Sequence, residues 1–410
     1  MRILSIHNNY QIRGGEEESR ESEESMLRSR GHQVDVYEEH NDRIAELGSA
    51  RTALRTIWSH ESYSTVRQRL SQQRYDVVHV QNFFPLISPS VYYAAKAEGV
   101  PVVQSLRNYR LICPNALFFR DGKVCEDCLG KAIPWPGVMR GCYRQNKAAT
   151  AVTASMLVAH RAARTWQTQV DAYIALTQFA KEKLVQAGLP ANRMKVKPNF
   201  VKQDPGIGSG QGNYALYVGR LSAEKGLDTL LEAWDQLDSP LPLNIVGAGP
   251  LEDLVKAAAA RMPHVKYLGR QPMAEVHRLM GEATFLVFPS KWYETFGRVA
   301  VEAFAKGTPV IAAKIGAIAE LVTEGQTGYF FQPGDVSDLA AKVNWAISHP
   351  QEIVALRSKA REVFEAKYTA AQNYYQLIEI YNQAISRSTA IADNGRTAEL
   401  LSVREELIAR

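Results

Sequence analysis

At 410 residues the chain is too long for one ordinary hydrophobic core, and it suits two domains. Hydrophobic residues make up 46% and charged residues 22%, which is typical of a soluble globular protein. The strand pattern ILSI follows Met1-Arg2 directly, and no apolar run reaches the ~18 residues of a membrane span. The sequence therefore predicts neither a secretory signal nor a transmembrane helix, and we expect a cytoplasmic protein.

The location of the net charge of +5 matters more than its size. Between Arg107 and Arg164 ten Lys and Arg residues stand against three acidic ones, and between Arg43 and Arg74 six Arg stand against two. Such basic patches attract anionic lipid headgroups, acidic saccharides or nucleic acid. No nucleic-acid-binding motif accompanies them. Two interpretations stay open: a solvated face, or peripheral contact with the inner face of the membrane.

Strand patterns alternate with helical patterns along the chain, which predicts an α/β protein with parallel sheets covered by helices on both faces. Predicted strands of the first half are 3–6, 33–37, 76–80, 100–104, 172–176 and 195–197. Those of the second half are 214–218, 243–246, 265–269, 284–288, 309–312 and 328–331. The Gly-rich segment 201–213 between them reads as a linker or hinge. Ligands of open α/β sheets bind at the carboxyl ends of strands, so two facing domains would form a substrate cleft.

Two glutamates in WYETFGRVAVEAFAKGTPVIA (292–312) are the most informative residues of the chain. Glu294 lies in a loop after the buried strand pattern 285–290, and Glu302 lies about two turns into the next helix. The helix start between them offers free N–H groups and a positive dipole end. Two acceptors flanking exposed donors suit a polyhydroxylated, phosphate-bearing ligand. The alternative is a surface glutamate and an ordinary helical one.

The chain resembles the family 4 retaining glycosyltransferases over nearly all of residues 1–385. The family signature is Glu-x7-Glu with Phe-Gly after the first glutamate and a Gly-x-Pro-Val end, matched here by Glu294-Thr295-Phe296-Gly297, by Glu302-Ala303 and by 307–310. Two further motifs fall in the family's order, YVGRLSAEKGLDTLLEAW (217–234) and NIVGAGP (244–250). The resemblance implies the GT-B fold, two facing Rossmann-like domains with a cleft between them.

On this resemblance the chain divides into five parts. Residues 1–200 would form an acceptor-side domain with a Cys-rich insertion at 113–142, and 201–213 the linker. Residues 214–367 would form the domain that binds the nucleotide sugar. The helical pattern of 368–385 would be the C-terminal helix that crosses back to the first domain in GT-B enzymes. The tail 386–410 ends in a further helical pattern and has no assigned role.

Two cations and two glycine loops are expected to hold the donor. Arg220 and Lys225 lie between a strand and a helix pattern, where they can neutralise the charge that grows on a departing diphosphate. The matching residues of the family do this, whereas the plain alternative is a surface pair. Gly247, after another strand, permits close backbone approach to a ligand. The family also has a Gly-Gly loop, here Gly14-Gly15, that faces the donor phosphates and the acceptor.

The resemblance also assigns the two glutamates. Glu302 should hold the nucleotide ribose through its hydroxyls, and Glu294 should contact the transferred sugar beside the N–H groups of Phe296 and Gly297. The donor would be a UDP- or GDP-sugar. No divalent metal is expected at the diphosphate, because Arg220 and Lys225 supply the positive charge.

Arg107 departs from the family pattern. Related enzymes often have a histidine at this position, in a loop that enters the cleft, and its ring or backbone carbonyl is thought to assist the transferred sugar. The arginine puts a histidine-assisted mechanism in doubt, though not glycosyl transfer itself. We include Arg107 among the candidate catalytic residues, as a ligand for donor phosphate or an acidic acceptor.

All four cysteines lie just beyond, in the order Cys113, Cys125, Cys128 and Cys142. Four thiolates that include a CxxC turn suit a closed tetrahedral zinc site, and disulfides are uncommon in cytoplasmic proteins. The segment is broken by Gly and Pro and would need a staple to be ordered. We expect a structural zinc, with unligated reduced cysteines, disulfides or an iron–sulfur cluster as alternatives.

These observations predict a retaining glycosyltransferase that moves a hexose-type sugar from a nucleotide sugar to a saccharide or lipid-linked acceptor. Two alternatives remain: a GT-B sugar-nucleotide epimerase, against which the Glu-x7-Glu pair counts, and a catalytically silent nucleotide-sugar-binding protein.

Overall fold

A computed structural model describes residues 1–408 except for 238 and 240, with side chains up to residue 390. The strands of the first half are β1 (Arg2–Asn9), β2 (Gln33–His40), β3 (Val77–Asn82), β4 (Val102–Leu106), a small hairpin of β5 (Phe119–Arg120) and β6 (Lys123–Val124), β7 (Ala172–Ala175) and β8 (Met194–Val196). Six of them form one parallel sheet in the order β2-β1-β3-β4-β7-β8. The predicted α/β alternation is therefore confirmed for this half.

Helices connect these strands. They are α1 (Gly15–Ser29), α2 (Arg43–Ile57), α3 (His60–Gln72), α4 (Ser90–Ala97), α5 (Trp135–Arg140), α6 (Lys147–Ala162), α7 (Thr165–Thr168) and α8 (Gln178–Gln186). Several begin at side-chain caps: Ser59, Asn146 and Thr177 each accept a hydrogen bond from a backbone N–H in the first turn of α3, α6 and α8. The local sequence thus sets where these helices start.

The second half repeats the plan. Its strands are β9 (Ala215–Val218), β10 (Leu243–Val246), β11 (Val265–Gly269), β12 (Phe285–Phe288), β13 (Val310–Ala313) and β14 (Gly328–Phe331). They form a parallel sheet in the order β11-β10-β9-β12-β13-β14. Its helices are α9 (Leu227–Asp235), α10 (Glu252–Arg261), α11 (Met273–Glu282), α12 (Arg298–Ala305), α13 (Ile318–Leu321), α14 (Val336–Ser348) and α15 (Pro350–Lys367), and the chain continues into α16 (Ala370–Ile408).

Both sheets are covered on their two faces. Every residue of β3, β4, β7, β10, β12 and β13 is buried. Continuous burial is the consequence of placing helices on both sides of a parallel sheet, and it explains why β7, β12 and β13 carry no charged or amide side chain at all. Among the described residues, no helix combines the length and the apolarity needed to cross a bilayer.

The Gly-rich segment 201–213 is packed rather than loose. The backbone N–H groups of Gly208, Gly210 and Gly212 donate to carbonyl oxygens of the second half at 2.8–2.9 Å. A Cβ atom on Gly208 would lie 2.1 Å from the carbonyl oxygen of Gly281, so only glycine fits there. These glycines permit close backbone contact, which is a different use of Gly from the flexibility that composition suggested.

Helix α16 lies against the first sheet, where Leu377, Ile380 and Tyr381 pack with Ile3 and Val77. Sequence analysis ended this helix at 385 and began a separate tail, whereas the structure has one helix to Ile408. The single glycine at 395 does not interrupt it, because one Gly among good helix formers costs only about 1 kcal/mol.

Candidate functional site

Three neighbouring loops of the second sheet bring the predicted donor residues together. Strands β9, β10 and β12 are adjacent in that sheet, and their carboxyl ends lead to Arg220 and Lys225, to Gly247 and to Glu294 respectively. Parallel strands end at one edge of the sheet, so these residues share that edge. The structure therefore places the predicted donor residues of the second half around one position.

Glu294 is held by three donors that all reach the same oxygen. Its Oε1 accepts from Lys225 Nζ at 2.5 Å, from Ser290 Oγ at 2.9 Å and from Trp292 Nε1 at 2.9 Å. Among the described residues, no donor reaches its Oε2. The carboxylate is 7% exposed, so its orientation is fixed by these contacts. One oxygen is thus saturated by protein, and the other remains available to accept from a ligand hydroxyl.

Glu302 resembles Glu294 in that a protein donor binds only one of its two carboxylate oxygens. Its Oε1 accepts from Arg298 Nε at 2.8 Å, whereas no donor from the described residues reaches its Oε2. The side chain lies on α12 and is 4% exposed, and this burial raises the pKa of the carboxyl above its ordinary value. The second glutamate therefore also keeps one oxygen for a ligand.

The start of α12 supplies donors between the two glutamates. Gly297 has φ of 107° and a Cβ there would lie 2.2 Å from Ile318 Cδ1, so the turn requires glycine. No side chain caps this helix, which leaves its first N–H groups without a side-chain acceptor. Phe296 is buried beneath the turn. Backbone N–H groups and the dipole of the helix together favour an anion or a polar hydroxyl at this point.

Gly247 and Arg220 also lie at the edge of the second sheet where its strands end. Gly247 has φ of 147°, and a Cβ atom there would lie 1.9 Å from the carbonyl oxygen of Gly219, so the two loops touch backbone to backbone. Arg220 itself is exposed. Its guanidinium is a strong bidentate donor to phosphate. The site thus has one exposed cation and a second, Lys225, that is anchored on Glu294.

The loop that carries Glu294 is also bound by the first domain. Thr295 Oγ1 donates to the carbonyl oxygen of Arg107 at 2.8 Å, and Tyr109 Oη donates to the carbonyl oxygen of Glu294 at 3.3 Å. Thr177 Oγ1 donates to the carbonyl oxygen of Thr295 at 3.3 Å. The two domains therefore meet at the backbone of this loop.

The side chain of Arg107 points away from the donor loops. Its guanidinium donates to Asn199 Oδ1 at 2.6 Å and to Gln81 Oε1 at 3.0 Å, and it lies 3.4 Å from Glu23 Oε2. The residue is 7% exposed. Its backbone carbonyl, rather than its guanidinium, faces the Glu294 loop. A catalytic role for Arg107 stays a prediction, and this geometry favours a role of the carbonyl.

The Gly14-Gly15 turn begins α1 in the first domain. The N–H of Gly14 donates to Glu17 Oε2 at 2.9 Å, which closes the turn. In the next position along the helix, Glu18 reaches across the cleft, where its Oε2 accepts from Arg298 Nη1 at 2.6 Å. Arg298 therefore connects the start of α1 to Glu302. This places the glycine turn opposite the donor edge of the second domain.

The four cysteines converge but do not form a ready ligand set. Cys113, Cys125, Cys128 and Cys142 line one cavity of about 20 Å³, and all are free thiols. Burial raises the pKa of the Cys128 thiol to about 11. Within the described part of the chain, no group of three or more His, Cys, Asp or Glu side chains is arranged to hold a metal ion. The expected zinc thus has no direct support in this arrangement.

Sequence reasoning missed the residues that position the glutamates. Ser290 and Trp292 lie within four residues of Glu294, and their donor groups were a local signal that could have been used. Arg298 is one turn before Glu302, a spacing that favours an ion pair on a helix. Glu18 and Tyr109 had no such signal, because their contacts join residues 280 and 185 positions apart.

Comparison with known proteins agrees with this geometry. Residues 14–199 match the glycosyl transferase 4-like domain, and residues 202–363 match the glycosyl transferases group 1. The chain belongs to the family 4 glycosyltransferases. The two matched ranges divide this family 4 protein at the same Gly-rich segment that separates its two sheets.

Two relatives and one solved structure illustrate the likeness. A glycosyltransferase of Methanocaldococcus jannaschii is 28% identical over 53% of this chain and 60% of its own length. D-inositol 3-phosphate glycosyltransferase 1 of Catenulispora acidiphila is 29% identical over 76% of this chain and 73% of its own. The chain thus spans less than two thirds of the archaeal relative. The Anabaena protein HepE, solved in complex with UDP, is 21% identical with a TM-score of 0.65, over 92% of this chain and 99% of its own. This last likeness, together with the two parallel sheets, establishes the GT-B fold.

Removing Arg298 should destabilise the protein through Glu302. Arg298→Ala would leave a buried carboxylate without its partner, and we expect a loss of about 1–3 kcal/mol in the free energy of unfolding. Glu18→Gln removes only the negative charge from the half-exposed contact across the cleft and should cost less than about 1 kcal/mol. Both values are to be measured by urea denaturation.

Arg278→Ala is the matched control. Arg278 also bridges two glutamates, Glu275 at 2.6 Å and Glu282 at 2.8 Å, but on an exposed helix face. Exposed pairs contribute little, so this variant should unfold close to the parent. Equal losses for Arg298→Ala and Arg278→Ala would show that Glu302 does not depend on Arg298.

Proposed function

We propose that this protein transfers a sugar from a nucleoside diphosphate sugar to a hydroxyl group of a saccharide or lipid-linked saccharide, with retention of the anomeric configuration. The observation that carries the proposal is the hydrogen bonding of the Glu294 carboxylate. Three donors converge on its Oε1, no donor from the described residues reaches its Oε2, and the loop that carries it leads into the uncapped start of α12. A buried carboxylate oriented in this way suits a sugar hydroxyl.

The diphosphate would lie between Arg220 and Lys225. Lys225 uses one N–H on Glu294, and an ammonium group has three, so it can donate to phosphate while it stays anchored. Arg220 adds a second positive charge. Negative charge grows on the diphosphate as the sugar departs, and fixed cations stabilise that change without a metal ion. This supports a donor site that needs no divalent metal.

The nucleotide part would lie against α12. Oε2 of Glu302 can accept from a ribose hydroxyl, while Oε1 stays fixed by Arg298. The Gly247 loop approaches Gly219 backbone to backbone, which the absence of a side chain on Gly247 permits. HepE has been solved with UDP and with UDP-glucose. Uridine is therefore the base we propose, and a hexose the sugar.

The reaction would proceed on one face of the sugar. The bond between the anomeric carbon and the diphosphate oxygen breaks, and the acceptor oxygen forms its bond on the same face. The acceptor proton passes to the departing diphosphate oxygen. We assign Glu294 no covalent role, because three hydrogen bonds to its Oε1 hold the carboxylate in one orientation. Its role is to orient the sugar.

Slow hydrolysis of the donor tests the stereochemistry without knowledge of the acceptor. With UDP-glucose as donor, the first glucose released should be the α anomer, followed by proton NMR before mutarotation. The rate should survive chelation of divalent ions and should be lost in Lys225→Ala. Release of β-glucose, or activity that EDTA abolishes and Mg²⁺ or Mn²⁺ restores, would contradict the proposal. Rescue by zinc alone would not, given the cysteines.

The two glutamates should separate nucleotide binding from sugar binding. Glu302→Ala should weaken UDP and UDP-glucose alike, whereas Glu294→Ala should weaken UDP-glucose only. Loss of one hydrogen bond to a neutral hydroxyl costs about 0.5–1.5 kcal/mol, or roughly 2- to 12-fold in Kd. Calorimetric titration of both ligands on both variants is the measurement.

The pH dependence provides a check on Glu302. Because burial raises the pKa of Glu302, its carboxylate protonates at a higher pH than an exposed glutamate. A protonated carboxyl accepts less well, so UDP affinity of the parent should fall as the pH decreases through that raised pKa. Glu302→Ala should not show this fall.

If Glu302→Ala and Glu294→Ala both bound UDP and UDP-glucose like the parent, the roles assigned to the two glutamates would be wrong.

We also propose that Cys113, Cys125, Cys128 and Cys142 bind one structural zinc ion. The support is that all four line the same cavity, that two of them form a CxxC turn, and that the segment contains only a hairpin of two-residue strands and a six-residue helix as regular structure. The zinc would order residues 113–142 and take no part in the reaction.

Metal analysis decides the zinc proposal. The purified protein should contain about one zinc per chain, as expected for a closed four-cysteine site, and Cys125→Ser should lose it. Asp127→Asn is the control, because Asp127 lines the same cavity but is not a proposed ligand. Four thiols that titrate freely in a metal-free and fully active protein would disprove the site.

A further inference from the structure

Helix α5, in the Cys-rich insertion, has two different faces. Pro136 and Gly137 are buried on the inner face, where an added Cβ on Gly137 would lie 3.4 Å from Cys128 Sγ. On the outer face Trp135 is 58% exposed and Met139 is 62% exposed. These two residues are four positions apart and so share one side of the helix. Large apolar side chains thus point to solvent from a helix whose other side is anchored.

The exposed apolar side chains form a group with nearby cations. Ile133, two residues before the first residue of the helix, is 55% exposed. We call the following set the Trp135 face: Ile133, Trp135 and Met139 with Lys131, Arg144 and Lys147. All six are exposed, and Lys131 Nζ lies 5.9 Å from the centre of the Trp135 ring. The face therefore combines a large apolar surface with positive charge.

The acidic residues near this face are already paired. Asp127 accepts from Arg140, and Glu126 accepts from Lys183 Nζ at 2.7 Å. The charge of Lys131, Arg144 and Lys147 is therefore not neutralised by these carboxylates. Exposed large apolar side chains with unneutralised cations in the same segment are unusual on a freely soluble monomer and mark an interaction site.

The position of the face relative to the donor site is fixed. Arg161 at the end of α6 donates to the carbonyl oxygens of Lys131 and Ala132, which holds the loop before α5. The other end of the same insertion reaches the donor loop: the ring of Phe118 contacts Tyr293 at 6.3 Å between centres. One short segment thus connects the Trp135 face with the loop that carries Glu294.

We propose that the Trp135 face docks on an anionic lipid bilayer. Trp135 would lie at the level of the headgroups, as tryptophan does at membrane interfaces, with Ile133 and Met139 inserted beside it. The lysines and Arg144 would bind anionic headgroups. An anionic bilayer offers both an apolar interior for the exposed hydrophobic side chains and negative headgroups for the cations. The inference deepens the proposed transfer reaction, since it places the cleft next to a lipid-linked acceptor at the membrane.

Vesicle binding tests the proposal on the full chain. The parent should sediment with phosphatidylcholine vesicles that contain phosphatidylglycerol, and much less with phosphatidylcholine alone. The double variant Trp135→Ala/Met139→Ala should need at least about tenfold more lipid for half-binding. Lys131→Glu/Lys147→Glu should lose at least about tenfold as well, and high salt should weaken the parent.

Matched controls come from exposed positions of the second domain and the linker. Leu254→Ala/Val354→Ala removes exposed apolar side chains, and Lys202→Glu/Lys266→Glu makes the same change in net charge. Both should bind vesicles like the parent. If the control pairs lose binding to the same extent, or if the parent ignores anionic vesicles, the proposal is wrong. Self-association that Trp135→Ala abolishes, in a protein without vesicle binding, would assign the face to a second copy.

The donor reaction is measured separately, without lipid. All four double variants should keep the thermal stabilisation by UDP-glucose and the rate of its hydrolysis. A protein that hydrolyses UDP-glucose but ignores vesicles overturns only the membrane inference. A protein that binds vesicles but no nucleotide sugar overturns only the proposed function.

Discussion

The ion pair between Lys225 and Glu294 is the interaction on which the site depends. It joins the ends of two neighbouring strands, and it fixes one carboxylate oxygen so that the other can face a ligand. The backbone of the same loop is hydrogen-bonded by Tyr109 and Thr177 of the first domain. The position of Glu294 is thus determined by both domains at once. This explains how two separately packed sheets can define one reaction geometry.

The second domain and its donor edge could be predicted well from the sequence. Glu294 and Glu302 lie eight positions apart on a loop and the helix that follows it, so their relation is local and periodicity is enough to place them. The strand ends that carry Lys225 and Gly247 follow from alternating apolar runs. The parallel α/β architecture itself follows from the same runs, since strands covered on both faces are largely apolar.

The first domain was harder to predict because its decisive contacts are long-range. The sequence suggests Arg107 as a ligand for donor phosphate or an acidic acceptor, which stays a prediction, and it gives no sign that the guanidinium donates to Asn199 and Gln81, which lie far away in the chain. No pattern of composition or spacing reports such a contact. The exposure of Trp135 was equally hard to predict. The local sequence, an apolar residue between two prolines, does not indicate whether the side chain is buried or exposed to solvent. Sequence reasoning recognised the basic stretch but not the apolar part of the same surface.

Helix α16 has a consequence for the synthesis of the chain. Leu377, Ile380 and Tyr381 cover one face of the first sheet, and Asn373 accepts from the buried Lys197 at 2.9 Å. Domains near the amino terminus ordinarily fold first, while the ribosome still makes the rest. Here the first domain cannot complete its core until the residues of α16 have emerged. An apolar sheet face must therefore stay uncovered, or be held by a chaperone, while the whole second domain is translated.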